Sequence, residues 1–151
     1  DSSDIIVKMI QCGDWRDFIE IKELISSKYS NILDSSGISA LYVASEMDQI
    51  DIAKKLLNIN TDINLRTRSR STPLMVAALC GNLQIVKLLI KNNANLELKD
   101  TFGWTALDNA IIGRRSQIVD LLQYETLCKK IQTYFIKDII GIISSYIPVN
   151  N

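Results

Sequence analysis

The sequence contains no histidine. That one absence removes Ser–His and Cys–His nucleophile pairs together with the commonest zinc ligand. Phosphate-cradling loops are missing too: there is neither a G-x-x-x-x-G-K-S/T loop nor a G-x-G-x-x-G turn. Cysteine is scarce, and Cys12, Cys80 and Cys128 are far apart and odd in number. They make no disulfide framework, so a reducing compartment is expected, intracellular and cytoplasmic with the nucleus as the alternative. Cys80 would be reactive only if exposed beside positive charge. Net charge is lacking as well. Lys+Arg and Asp+Glu are 17 each, which leaves no electrostatic case for nucleic acid or an anionic membrane as the main partner. No apolar run reaches the ~18 residues of a membrane span. The carboxylates are scattered, and a solvated surface role is their default. The expectation is a chain that is not an enzyme, with no cofactor and no metal.

What is present is a folded domain. Apolar residues make up 47% of the 151 and charged residues 23%, a balance that excludes disorder. The chain begins at Asp1 and not at Met, which reads as a processed or cut chain with anything upstream out of view.

The organising unit is residues 67–99. STPLMVAA gives a turn and a short helix, Gly81 breaks it, and LQIVKLLI gives a second helix with Ile85, Val86, Leu88 and Leu89 on one side. Helices of about ten residues cannot bury both apolar faces on each other, so the unit needs neighbours. One constant shift along the chain, the step from Gly37 to Arg70 and again to Gly103, supplies them. These three share a column, as do Ser39, Thr72 and Thr105, and Ala40, Pro73 and Ala106. Leu41, Leu74 and Leu107 repeat, then Ala44, Ala77 and Ala110, Ile52, Ile85 and Ile118, and Leu56, Leu89 and Leu122. Self-similarity at a fixed period marks a solenoid.

With T-P-L-x-x-A-A, the Gly and I-V-x-x-L-L in these places, the chain resembles the ankyrin repeats, specifically over residues 34–122. The resemblance implies an all-α solenoid of stacked helix-turn-helix units joined by short β-hairpin-like turns. Ser39, Thr72 and Thr105 suit helix caps, and Pro73 suits a first turn. Asn60 and Asn93 stand where the family has a left-handed Gly. Arg70 in the turn-Gly column predicts strain or a different turn geometry. A single domain is expected over 1–151. Residues 1–33 form a degenerate first repeat, 34–66, 67–99 and 100–132 are repeats, and 133–151 is a helical C-terminal cap.

The tail admits a second reading. FIKDIIGIISSYIPV resembles the F-box-like ends of some viral ankyrin proteins, without the Leu-Pro that opens that motif. TLCKKI resembles a SOCS box, with a different Leu-to-Cys spacing. The alternative function is therefore a substrate-recognition adaptor that recruits a ubiquitin ligase through its tail. The first reading is a non-catalytic module that binds a partner protein through its concave groove.

The resemblance places that groove on the hairpin tips and the exposed side of the first helices. It assigns Ser35, Ser36, Ile38, Glu46 and Met47 from the second repeat. From the third come Arg68, Ser69, Arg70, Ser71, Leu79 and Cys80, and from the fourth Thr101, Phe102, Trp104 and Ile112. RTRSRST is either a basic loop for an acidic partner, a kinase site, or a solvated tip. Phe102 and Trp104 lie outside the core columns, and either meet a partner or pack on each other. The expected partner is a protein helix or extended segment carrying an apolar or aromatic anchor beside an acidic group, bound by a monomer. L-x5-D-I-N, ending at Asn64, resembles the sites an asparaginyl hydroxylase modifies, and Asn64 is equally an ordinary turn residue.

Overall fold

In a computed structural model, the described residues are Asn31, Leu33 and 37–146, excepting the side chains of 144–146. The degenerate repeat expected over 1–33 therefore lies almost wholly outside the described residues, as do 147–151. Six helices follow one another among the described residues: α1 Ala40–Glu46, α2 Ile50–Asn58, α3 Pro73–Cys80, α4 Leu83–Lys91, α5 Ala106–Ile112 and α6 Ser116–Tyr146. The starts of α1, α3 and α5 are evenly spaced at the repeat period, and so are those of α2, α4 and α6. No strand occurs among the described residues; a single antiparallel bridge joins Leu33 and Ser39. This is the all-α ankyrin-type stack.

Each first helix starts on a hydroxyl cap. Ser39 accepts from the Tyr42 N–H at 3.1 Å, Thr72 from Met75 at 3.3 Å and Thr105 from Asp108 at 3.3 Å. At Thr105 the bond is returned, since the Asp108 carboxylate accepts from the Thr105 N–H at 2.8 Å and its hydroxyl at 2.7 Å. At Thr72 the Met75 sulfur takes the corresponding N–H at 3.4 Å, a softer acceptor in the same place.

Packing runs between repeats. First helices lie directly on one another, and Ala44, Ala77 and Ala110 are fully buried where they approach. Leu41, Leu74, Ile52, Ile85, Ile118, Leu56, Leu89 and Leu122 fill the continuous core. Leu107 alone of the Leu column is half-buried, packed at the edge of that core.

Left-handed backbone recurs where the columns place it. Gly37 and Gly103 have φ of 78° and 83°, and Arg70 in their column has 61°. Arg70 thus adopts the ordinary turn geometry with strain, not a different turn. Asn60 and Asn93 take φ of 60° and 63° after the second helices. Arg114, in the Gly81 column, is left-handed as well, while Gly113 is right-handed. Gly113 has another reason to be small: a Cβ there would run into the Leu79 carbonyl of the preceding repeat.

The tail departs from a compact end. α6 runs unbroken for 31 residues through the expected 132/133 boundary, because Pro148 is the first strong breaker after Ser116. Ile118 and Leu122 are buried, but every side chain from Lys129 to Ile143 is exposed. As far as Tyr146, the segment expected as a separate cap is the far part of this one helix, and it extends into solvent.

Two stability tests follow from these backbone positions. Arg70→Gly should raise stability by about 1 kcal/mol, the cost of holding a side-chain-bearing residue left-handed, whereas Gly113→Ala should lower it by about 1–3 kcal/mol through the carbonyl clash. Urea titration of both variants reads this directly, and a neutral Gly113→Ala would refute the close approach.

Asp108 supplies a pH test. Bonds from the Thr105 backbone N–H and hydroxyl hold its carboxyl below the usual range, with partial burial opposing and Lys99 assisting. A lowered folded pKa means the contribution is complete above the unfolded carboxylate value, about 3.9, and is lost as pH falls through the folded one. Asp108→Asn should therefore show a shallower loss of melting temperature than the parent on acidification from neutrality. Parallel acid profiles would show that the cap carries no charge-dependent stability.

Candidate functional site

The turns are built alike. Thr67 N–H donates to the Ser71 carbonyl at 3.0 Å, and one repeat later Asp100 N–H donates to the Trp104 carbonyl at 3.0 Å. The inner bonds repeat too, Arg70 to Thr67 at 2.9 Å and Gly103 to Asp100 at 3.1 Å. In the fourth-repeat turn one carboxylate oxygen of Asp100 accepts from the N–H groups of Phe102 and Trp104, at 2.8 and 3.0 Å. In the third-repeat turn the Thr67 hydroxyl does the same for Ser71 at 3.1 Å and shares a bond with the Ser69 hydroxyl at 3.0 Å. Thr101 N–H donates to the Ser69 carbonyl at 3.0 Å, so the two tips are tied side by side.

On this frame Phe102 and Trp104 stack, ring centroids 5.1 Å apart and planes 29° off parallel. They pack on each other and still face solvent, Phe102 at 73% and Trp104 at 42% exposure. The reading in which they pack on each other thus holds, and the stacked pair stays open to solvent. The neighbouring tip is basic. The stem of Arg68 lies over Gly37 of the preceding turn, where a Cβ would meet its Cγ, and Arg68 and Arg70 are exposed. Arg66 donates to the Lys99 carbonyl at 2.9 Å, so it links the second and third repeats' ends and does not belong to the tip.

Below the tips, Glu46, Met47, Leu79 and Ile112 are exposed on the ends of the first helices, while Ile38, Ser71 and Cys80 are half-buried. Glu46, Leu79 and Ile112 form one column of the repeat. Ser35 and Ser36 lie outside the described residues. The remaining assigned positions, Ser69 and Thr101, are exposed at the tips.

Cys80 is no activated thiol. Burial and the Glu46 carboxylate push its pKa up, and Arg115 only partly opposes them. Tyr42 is the residue the sequence reading missed. Burial raises its pKa, with Glu46 and Cys80 adding to the rise, and its phenol bonds to the Ser71 side chain, which opposes it. The available signal was its column, shared with Met75 and Asp108, which reads as a helix-start position and not as a surface.

Polar ladders also escaped the sequence. Asn82 donates to the Ser45 and Glu46 carbonyls at 2.7 and 3.0 Å, and Arg115, one repeat later, donates to Leu79 at 3.1 Å. These side chains tie off the last carbonyls of the preceding first helix. Asn64 belongs to a second ladder: its side-chain oxygen accepts from the Asn95 N–H at 2.9 Å, as Asn31 accepts from Asp62. An enzyme reaching Asn64 has to open that contact.

Among the described residues no three His, Cys, Asp or Glu side chains are grouped to hold a metal ion, and no helix is long and apolar enough to cross a membrane.

Known proteins agree with this architecture. Residues 56–110 match the family described as ankyrin repeats (many copies), and residues 36–68 match the single ankyrin repeat. A glycerophosphocholine phosphodiesterase of Schizosaccharomyces pombe is 30% identical over 105 residues, 68% of this chain and 9% of that protein. Ankyrin repeat and SAM domain-containing protein 6 of Mus musculus is 27% identical over 110 residues, 72% of this chain and 12% of its own length. Inversin of Gallus gallus is 38% identical over 74 residues, 49% and 7% respectively. The chain thus spans a small fraction of these relatives, and what they share with it is the repeat segment. With the family matches, the periodic columns and the stacked helix pairs in agreement, this chain is an ankyrin-repeat protein.

Proposed function

We propose that the chain is a non-catalytic protein-interaction module whose partner is gripped by the third and fourth turn tips and the exposed ends of the first helices. Ankyrin repeats indicate such a module. The observation that carries the finer reading is the Phe102–Trp104 stack, held in the open on a turn whose backbone N–H groups from Asp100 to Trp104 are all bonded. Exposed aromatics cost solvation unless a partner covers them, and pre-ordering the turn removes an entropic cost of binding.

Arg68 and Arg70 on the adjoining tip supply cationic donors, and Met47, Leu79 and Ile112 supply apolar contact below. The complementary partner is a protein helix or extended segment with an apolar or aromatic anchor and a carboxylate or phosphate beside it.

Affinity capture from an intracellular extract, followed by calorimetry with the captured partner, tests the surface. Trp104→Ala should cost ~2 kcal/mol or more of affinity while melting stays near the parent's, because the side chain lies outside the core. Arg68→Ala should weaken binding mainly at low salt and flatten its salt dependence. Parent-like affinity in both variants would move the site to another face.

A further inference from the structure

In the third repeat Leu74, Ala78 and Val86 are covered, with Ala78 at 0% exposure. The equivalent positions of the fourth repeat are open: Leu107 and Val119 are half-buried, and Ile111 is 52% exposed. The fourth repeat packs over the first set, and among the described residues no fifth unit packs over the second. Ile111, Arg114, Arg115, Ser116, Val119 and Asp120 line an open depression of about 390 Å³ on this end face. Among the described residues the stack therefore presents, at this end, an apolar surface of the kind its interior covers.

The same chain carries a second open apolar surface. Along α6 past the buried Leu122, Tyr124, Leu127, Ile131, Phe135 and Ile139 recur at spacings of three and four, each between 41% and 66% exposed. They form one stripe; the opposite side carries Lys130, Thr133 and Lys137 together with the exposed Ile136 and Ile140. A helix rises ~1.5 Å per residue, so Phe135 lies about 24 Å further along the axis than Val119. While α6 is straight, the stripe of one copy cannot reach the end face of the same copy.

We propose that two copies satisfy each other: in a two-fold dimer, the far part of α6 from each chain lies across the open end of the other chain's stack. One reciprocal exchange covers both exposed surfaces and closes the assembly, as an isologous contact does. Five half-exposed side chains and a matching area of end face, each buried twice, come to roughly the 1,200–2,000 Å² of a stable interface. The segment expected as a cap then serves as one in trans, and the expected monomer is replaced by a dimer. This contact is separate from the turn tips, and it stands or falls independently of the partner surface above.

Light scattering on the full chain over a concentration series tests the exchange. The mass should climb from 17.0 kDa toward twice that value. Ile111→Lys on the end face, and Ile131→Lys with Phe135→Lys on the stripe, should each weaken self-association on the order of a hundredfold, because each buries an unpaired ammonium. All three positions are exposed, so circular dichroism should show helicity retained. Mixing the two variants should restore a heterodimer, since one contact then pairs an intact stripe with an intact end face. A constant 17.0 kDa at every concentration overturns the proposal and leaves the stripe to a fold-back cap or another protein, a ligase adaptor among them. Parent-like association of Ile111→Lys also overturns it, in favour of stripe-on-stripe pairing.

Discussion

Everything in this molecule depends on contact between successive first helices. A seven- or eight-residue helix such as α1 or α3 has too few hydrogen bonds to hold itself, and its partner helix covers only one side of it. Stability comes from the neighbouring repeat, and that neighbour approaches closely only where side chains are small. Ala44, Ala77 and Ala110 provide that closeness, and Gly113 extends it to the Leu79 carbonyl.

Close stacking leaves backbone groups between repeats that need partners, and the chain meets them periodically. Asn82 and Arg115 finish the carbonyls of the helix before, and Asn31 and Asn64 take the N–H groups of the loop after. Two different chemistries thus perform one task at equivalent positions. The helix starts show the same substitution of means, with a carboxylate at Asp108 and a thioether at Met75 receiving the cap N–H. Because these bonds cross between repeats, the tips are ordered with respect to one another, as the Thr101–Ser69 bond shows. A rigid row of tips is what turns Phe102, Trp104 and the arginines into a single surface.

A stack held by neighbours has ends that lack one. Ile111 and Val119 stand at such an end, and α6 carries a further apolar stripe past it. Repeat proteins ordinarily solve this with a polar terminal unit. Here the fourth repeat keeps the apolar residue types of its predecessors, and among the described residues nothing covers its outer face.

Much of this was legible in the sequence because the repeat period is local information. The columns located the caps, the buried Leu, Ile and Ala sets and the left-handed positions, including Asn60 and Asn93, since each depends on residue type at a fixed place in one unit. Most of the assigned surface was legible for the same reason: positions outside the core columns face water. Tyr42 was not, because its link to Ser71 joins two different repeats and its column reads as a helix start. The unbroken α6 was not either, since periodicity shows which face is apolar but not whether anything covers it. Sequence by itself determined the period, the short helices of the repeats and the core, which follow from side-chain type and spacing. Only the tertiary structure decided that the aromatic pair stacks in the open, which carbonyls Asn82 and Arg115 reach, and that among the described residues nothing covers the fourth repeat's outer face, because each of these is set by how one repeat sits on the next.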